Sequence, residues 1–194
     1  METRDRILDA AAELMRTRGI ARTTTKEIAK AAGFSEATLY KHFRDKEELL
    51  LRVLSERVPG VAQIAIAAGQ GRVEDNVFRL VRGTLDFYHE TFPMLASLLS
   101  EPGLMAAHHA SISRRGGGPR RAVERVAAYF RAERELGRVP EHTDPHAVAA
   151  LLTGACFQQA FFAYFAGGPD AERVPDDVVT ALTRTLTAAL GTSG

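Results

Sequence analysis

The chain has 194 residues, 45% apolar and 25% charged, which suits one medium globular domain or a small domain joined to a larger one. Its formal net charge of +1 singles out no partner class, and one cysteine, Cys156, excludes an internal disulfide framework and fits a reducing compartment. Residues 1–6 lead straight into a charged helix without an apolar signal stretch, so a cytoplasmic location is expected.

Charge is unevenly spread. Between Arg16 and Lys46 the cations Arg16, Arg18, Arg22, Lys26, Lys30, Lys41, Arg44 and Lys46 face only Glu27, Glu36 and Asp45. Such a local excess favours a phosphate backbone, although a solvated helical face gives the same pattern.

Helical patterning runs nearly throughout, with no sustained strand alternation and no internal repeat. An opening helix over residues 4–18 places Ile7, Leu8, Ala11, Leu14 and Met15 on one face, and Gly19 is expected to stop it in the left-handed conformation. Thr24 and Glu27 have capping-box spacing, so a second helix starts there, turns Ile28, Ala29 and Ala32 inward, and ends at Gly33. Ser35 is a good N-cap for a third helix with Leu39 and Phe43 inward, and Asp45 caps a fourth through Leu49, Leu50 and Val53. Pro59 and Gly60 mark the exit from this first unit.

Beyond them, residues 74–90 predict a long helix with Val77, Leu80, Val81, Leu85 and Tyr88 inward. Residues 93–100 predict another, ended by Pro102 and Gly103. Residues 111–121, with Arg114, Arg115, Gly116, Gly117, Gly118 and Pro119, read as a flexible linker whose cations are solvated. A helix over 120–135 follows, with Val123, Val126, Ala127 and Phe130 inward and Gly137 as its stop. Asp144 and Pro145 open a long apolar helix that Gly167, Gly168 and Pro169 close. The last helix, over 175–190, carries Val178, Val179, Leu182, Leu186 and Leu190. Residues 147–168 are long and apolar enough to span a bilayer, but Gln158 and Gln159 lie in the middle and no basic flank adjoins. A helix buried on all sides is the reading adopted, with no membrane partner.

The second and third helices, joined by a tight glycine turn, form a helix-turn-helix, which lays its second helix in the major groove. Ala29 and Ala32 are small where the helices cross, and Leu39 anchors the reading helix. The opposite face offers Glu36, Ala37, Thr38, Tyr40, Lys41 and His42, with Lys46 just beyond.

The run from Thr24 to Ser35, followed by Glu36 to Leu50, resembles the DNA-binding signature of TetR-type regulators. Thr38-Leu39-Tyr40-Lys41-His42-Phe43-Arg44-Asp45-Lys46-Glu47-Glu48-Leu49 carries the distinctive part, and the resemblance covers residues 4–54. It implies that Thr25 and Lys26 meet the phosphate backbone or an adjacent base. Glu36, Ala37 and Thr38 are implied to lie at the groove floor, Tyr40 and His42 to contact phosphates, and Lys46 to clamp the backbone. With Ser35 and Lys41 these make the candidate contact set. Ile28, Leu39, Phe43 and Leu49 are core.

The fold class expected is therefore all-α: a DNA-binding domain over residues 1–56 and a helical ligand-sensing and dimerisation domain over 57–194. The apolar helix needs cover on every side, and a second copy of the chain supplies what one bundle cannot. Pairing it with the last helix gives a two-fold four-helix interface, which the resemblance also implies. Two reading helices then lie one DNA turn, ~34 Å, apart on a palindromic operator. The resemblance further implies a small-molecule effector in an apolar cavity. Phe87, Tyr88, Phe92, Tyr129, Phe130, Gln158, Gln159 and Phe162 are the foremost lining candidates, with Met94, Phe161 and Tyr164 beside them. Lacking a cluster of buried charge, the cavity suits an uncharged, mostly hydrophobic ligand. No cofactor, metal or catalytic set is expected. Cys156 sits inside the apolar helix, His108 and His109 point to different faces, and the Asp144-Pro145 helix start separates His142 from His146. A helical adaptor using the helix pair for protein contact is the alternative class.

Overall fold

Short helices survive only where their ends are satisfied and one face is buried. The computed structural model describes residues 2–57, 66–114 and 118–191. Among them there is no strand, and the chain is all-α. The elements are α1 (Thr3–Arg18), α2 (Thr25–Ala32), α3 (Glu36–His42), α4 (Lys46–Glu56), α5 (Val73–Leu99), α6 (Pro102–Arg114), α7 (Pro119–Glu135), α8 (Pro145–Gly167) and α9 (Asp176–Ala189). A 3-10 turn, Gly168–Asp170, follows α8.

Two compact units share these helices, and they interleave along the chain. One takes Met1–Pro59, Glu90–Gly117 and Gly168–Asp170; the other takes Gly60–His89, Gly118–Gly167 and Ala171–Gly194. The expected exit at Pro59 and Gly60 lies outside the described residues.

In the first unit, α1 turns Ile7, Leu8, Ala11 and Met15 onto Ile28, Ala29, Leu39, Phe43, Leu49 and Val53. Each large apolar side chain so buried contributes about 1.5–3 kcal/mol relative to exposure. Arg4 closes a two-pronged pair on Glu56 at 2.8 and 3.0 Å, and Arg57 reaches Asp5 and Asp9 at 2.5 and 2.7 Å, tying α1 to the end of α4. Gly19 ends α1 with φ 78 and ψ 166, a positive-φ extended shape rather than the left-handed helical one expected.

Two expectations about the middle of the chain are corrected. Residues 74–90 and 93–100 are one helix, α5, of 27 residues with Pro93 inside it. Proline removes one backbone donor and costs about 3 kcal/mol or more in a helix interior. Burial of Phe92, Met94 and Leu98 on the turns around it offsets that cost. Pro102 opens α6 instead of stopping a helix, because proline at a first helical position gives up only a donor that would be orphaned anyway. Helix α6 runs on to Arg114, so the expected linker is helical over 111–114; residues 115–117 lie outside the described part, and Pro119 starts α7.

In the second unit, Val77, Leu80, Val81 and Leu85 of α5 pack with Val126, Ala127 and Phe130 of α7 and Ala149, Leu152 and Cys156 of α8. The α8 helix buries that face alone. Leu151, Phe157, Phe161, Phe162 and Phe165 are exposed, so the chain's own bundle covers one face of the helix, as expected, and leaves the other open. Its apolar window, mean hydropathy 1.4, is long enough to cross a membrane by length and composition. The segment leading into α9 is held by Arg82, which donates to the Val174 carbonyl at 2.8 Å and pairs with Asp86 at 2.9 Å; Arg173 joins Asp86 at 2.8 Å. A buried charge that sequence patterning did not reveal also sits here. Glu133 is fully buried, 3.1 Å from Arg138 Nε, and accepts the Gly69 N–H at 3.3 Å.

The Cys156 thiol donates to the Val81 carbonyl at 3.7 Å, and burial pushes its pKa up to about 12. A thiolate-directed reagent is therefore expected to leave the folded chain unlabelled and to modify one thiol once denaturant unfolds it, read by mass shift.

Candidate nucleic-acid interface

The interface is built from caps. Thr24 accepts the Glu27 N–H at 3.2 Å, and the Glu27 carboxylate accepts the Thr24 N–H at 3.1 Å and its hydroxyl at 2.7 Å, the complete capping box. Gly33 ends α2 in the left-handed region, φ 79 and ψ 29, which any side chain would strain. The Phe34 N–H then reaches back to the Ala29 carbonyl at 2.9 Å. Ser35 caps α3 by accepting the Thr38 N–H at 3.1 Å, and the two hydroxyls lie 2.9 Å apart. Asp45 caps α4 through the Glu48 N–H at 2.7 Å, while the Arg44 N–H donates to Glu48 at 2.9 Å. Arg6 fixes the α2–α3 turn from α1, donating to the Ala32 carbonyl at 2.9 Å with its guanidinium 4.7 Å from the Phe34 ring centre.

These caps set the rotation of α3 about its axis. Leu39 and Phe43 point into the core, and Leu39 is fully buried. Ala37, Lys41, His42 and Tyr40 are exposed, the last at 47%. On α2, Lys26 is exposed and Thr25 half-buried; Ser35 is exposed, and Glu36, Thr38 and Lys46 are half-buried. All ten candidate contact residues thus lie at the surface. Besides the Ser35–Thr38 pair, three are joined: the Thr25 hydroxyl donates to Glu36 Oε1 at 2.5 Å, and the Tyr40 hydroxyl points at Thr25 Oγ1 from 3.4 Å.

The structure divides the cations that the sequence counted as equals. Arg16 pairs with Glu13 at 2.6 Å, Arg18 with Glu27 at 3.2 Å and Arg44 with Asp45 at 2.7 Å. Among the described residues, Arg22, Lys26, Lys30, Lys41 and Lys46 make no ion pair within 4 Å. Paired arginines spend their charge inside the protein. The unpaired cations, Arg22 and the four lysines, keep theirs available to an outside anion.

The candidate ligand-lining residues do not converge. Phe92 belongs to the first unit, whereas the other foremost candidates belong to the second. Met94 packs into the core of the first unit. Phe130 is fully buried and stacks edge-on with Tyr129 at 5.2 Å, so both are core. Phe87 and Tyr88 are half-buried and adjacent, Tyr88 stands edge-on to Phe157 at 5.4 Å, and burial raises its phenol above the usual range. Gln158, expected to be a buried amide, is exposed because it lies on the open face of α8. Gln159 is half-buried and lines, with Phe162, Ala163, Val174 and Val178, an open cleft of about 420 Å³ beside α9. His146 lies 3.2 Å from an Arg131 nitrogen and 3.7 Å from Glu124. No group of three or more metal-ligating side chains occurs among the described residues.

Cap-locked short helices around a glycine turn, with an outward face of small, polar and basic side chains, define a helix-turn-helix DNA-binding domain followed by a helical C-terminal part. The profile of bacterial regulatory proteins of the tetR family matches residues 7–53. An uncharacterised HTH-type transcriptional regulator, YvkB of Bacillus subtilis strain 168, is 48% identical over 54 residues, which cover 28% of this chain and 29% of that relative. The first curated relatives are matched over only 29% and 32% of their own length. Across nearly the whole chain, a structure described as a TetR-family transcriptional regulator from Mesorhizobium loti MAFF303099 superposes with a TM-score of 0.72 at 21% identity, covering 96% of each chain. The SmeT–triclosan complex does so with a TM-score of 0.64 at 22% identity, covering 96% of this chain and 90% of that one. At such identities the likeness is one of fold. Residues 7–53 thus carry the N-terminal domain of the tetR family, and the chain as a whole shares the fold of these structures.

Three carboxylates in this domain sit below their usual range. Glu27 is lowered first by the Thr24 hydroxyl, Asp45 first by the Glu48 N–H, and Glu56 first by Arg4. A depressed folded-state pKa stabilises the fold fully above the unfolded value and loses that contribution as pH falls toward the folded one. Thermal unfolding followed by circular dichroism should hold a steady midpoint from pH 7 to about 5.5 and drop steadily below about 4.5. A midpoint unchanged down to about pH 3 would show that these caps and pairs do not stabilise the domain.

Proposed function

We propose that the chain is a ligand-responsive transcriptional regulator, most simply a repressor, that binds a palindromic operator as a homodimer. Residues 1–56 grip DNA, and residues 57–194 sense a ligand and pair with a second copy. The observation that carries the reading is the division of charge. Lys26, Lys41 and Lys46 are unpaired beside the exposed Tyr40 and His42, on the flank of a helix whose turn and caps leave Ala37 and Thr38 facing outward. In a major groove the Ala37 methyl meets a thymine methyl, Thr38 bonds a base edge or phosphate, and the lysines, Tyr40 and His42 take phosphates. Thr25 and Ser35 complete the contact segment at the helix heads, where Glu36 stands beside them. Such a protein works in the cytoplasm beside its DNA, without a membrane partner or a catalytic site.

Pairing is supported by the open face of α8. Leu151, Phe161, Phe162 and Phe165 are too large an apolar stripe to leave in water, and a two-fold partner contributing its own α8 and α9 covers it. The effector is proposed to be small, uncharged and apolar. The second unit's buried charge, Glu133, is already paired with Arg138, and a fold relative was solved with triclosan. Phe87, Tyr88, Gln159 and Phe162 remain the best placed of the candidates, because Tyr129 and Phe130 are committed to the core.

Selection from random duplex DNA should enrich an inverted repeat. Lys46→Ala should weaken binding to the selected site several-fold whatever its sequence and reduce the slope of log affinity against log salt by about one. Recovery of no repeated half-site, or an unchanged slope, would remove the contact assignment. In light scattering, Phe161→Glu should convert a dimer to a folded monomer, and a well-folded dimer would place the interface elsewhere.

A further inference from the structure

The carboxylate of Glu36 stands at the head of α3, where base contact would be expected, yet it is already engaged. Its Oε1 accepts the Thr25 hydroxyl at 2.5 Å across the α2–α3 pair, eleven residues away in sequence. Thr25 has one hydroxyl hydrogen, so that hydrogen is not offered to a phosphate. The remaining lone pairs of Thr25 Oγ1 face the Tyr40 hydroxyl, 3.4 Å away. The chain Tyr40–Thr25–Glu36 therefore begins on the exposed side of α3, crosses to the head of α2 and returns to the head of α3. Gly33 and the Ser35 cap fix the turn between the helices, but neither links their N-terminal heads; the Thr25–Glu36 bond does. A carboxylate facing phosphates is electrostatically unfavourable, so one that holds the two heads together has a use that base recognition does not require.

Building on the operator-binding reading, we infer that Glu36 is a positioning residue: it locks the head of α2 to the head of α3 through Thr25, sets the height of Tyr40, and reads no base. Thr25 accordingly meets a phosphate through its backbone N–H, not its hydroxyl. The same side chains at an interface that reads cytosine through Glu36 would leave Thr25 free.

The test compares Glu36→Gln, Glu36→Ala, Thr25→Val and the double variant Thr25→Val/Glu36→Ala on DNA selected with the native protein and on unrelated duplex. Both Glu36 variants lose the charge, so both should gain equally on unrelated DNA. Glutamine keeps an acceptor for Thr25, so Glu36→Gln should retain the native ratio of specific to non-specific affinity, while Glu36→Ala loses about tenfold of it. The double variant should be no worse than Thr25→Val alone, and sites selected by every variant should keep the native base preference. A changed preference at one or two base pairs for Glu36→Gln or Glu36→Ala, or additive losses in the double variant, overturns the positioning role while leaving operator binding intact. Failure of the native protein to enrich any site overturns both readings. Should Glu36→Ala fail to fold, the base preference of Glu36→Gln and its coupling to Thr25→Val decide the question alone.

Discussion

Everything in the N-terminal domain depends on fixing two helices that are too short to persist alone. Helix α2 has eight residues and α3 seven, well under the ~12–15 residues at which an isolated helix becomes even marginal in water. Each has its first donors satisfied by a side chain of its own sequence, Thr24 with Glu27 and Ser35 with Thr38. Each also sinks an apolar anchor, Ile28 or Leu39, into the core beneath α1 and α4. The Gly33 turn then fixes their crossing. Given that crossing, the outward face of α3 is determined without any further interaction, and its chemistry is whatever the sequence places at 37, 38, 40, 41 and 42.

Charge follows the same division of labour. Arg4, Arg6 and Arg57 are structural cations, joining α1 to the end of α4 and to the α2–α3 turn through carboxylates, a carbonyl and two aromatic rings. Arginine suits that role because its planar fork makes two bonds at once. The lysines are left as point charges on flexible stems at the surface, the form in which a cation best follows an irregular phosphate path. A net charge of +1 conceals this arrangement entirely.

The N-terminal domain was legible in the sequence because its signals are local: capping spacings, a turn glycine and an inward leucine need no distant partner. The C-terminal region was less so. Pro93 and Pro102 look like stops, yet one continues a helix because its neighbours are buried and the other begins one. That difference depends on which side chains pack around them, a fact of tertiary structure. The periodicity of α8 correctly gave an apolar helix, but no pattern within one chain specifies which face its own bundle covers and which stays open. Gln158 fell on the open face and Gln159 on the cleft, one helical step apart. The buried Glu133–Arg138 pair was missed because a glutamate that reads as one more exposed charge stands five positions before an arginine past the helix end. The Thr25–Glu36 bond was missed for a related reason: residues eleven apart carry no pairing signal until the turn between them is known.

In the proposed complex, α3 presents Ala37 and Thr38 to base edges while Lys26 and Lys46 hold the strands on either side. A structure of the protein bound to its selected duplex tests this directly. The expected complex has two copies related by a two-fold axis, each with α3 in the major groove and centred one helical turn, ~34 Å, from the other. A complex in which α3 faces away from the DNA, or in which a single copy binds through another surface, would contradict it.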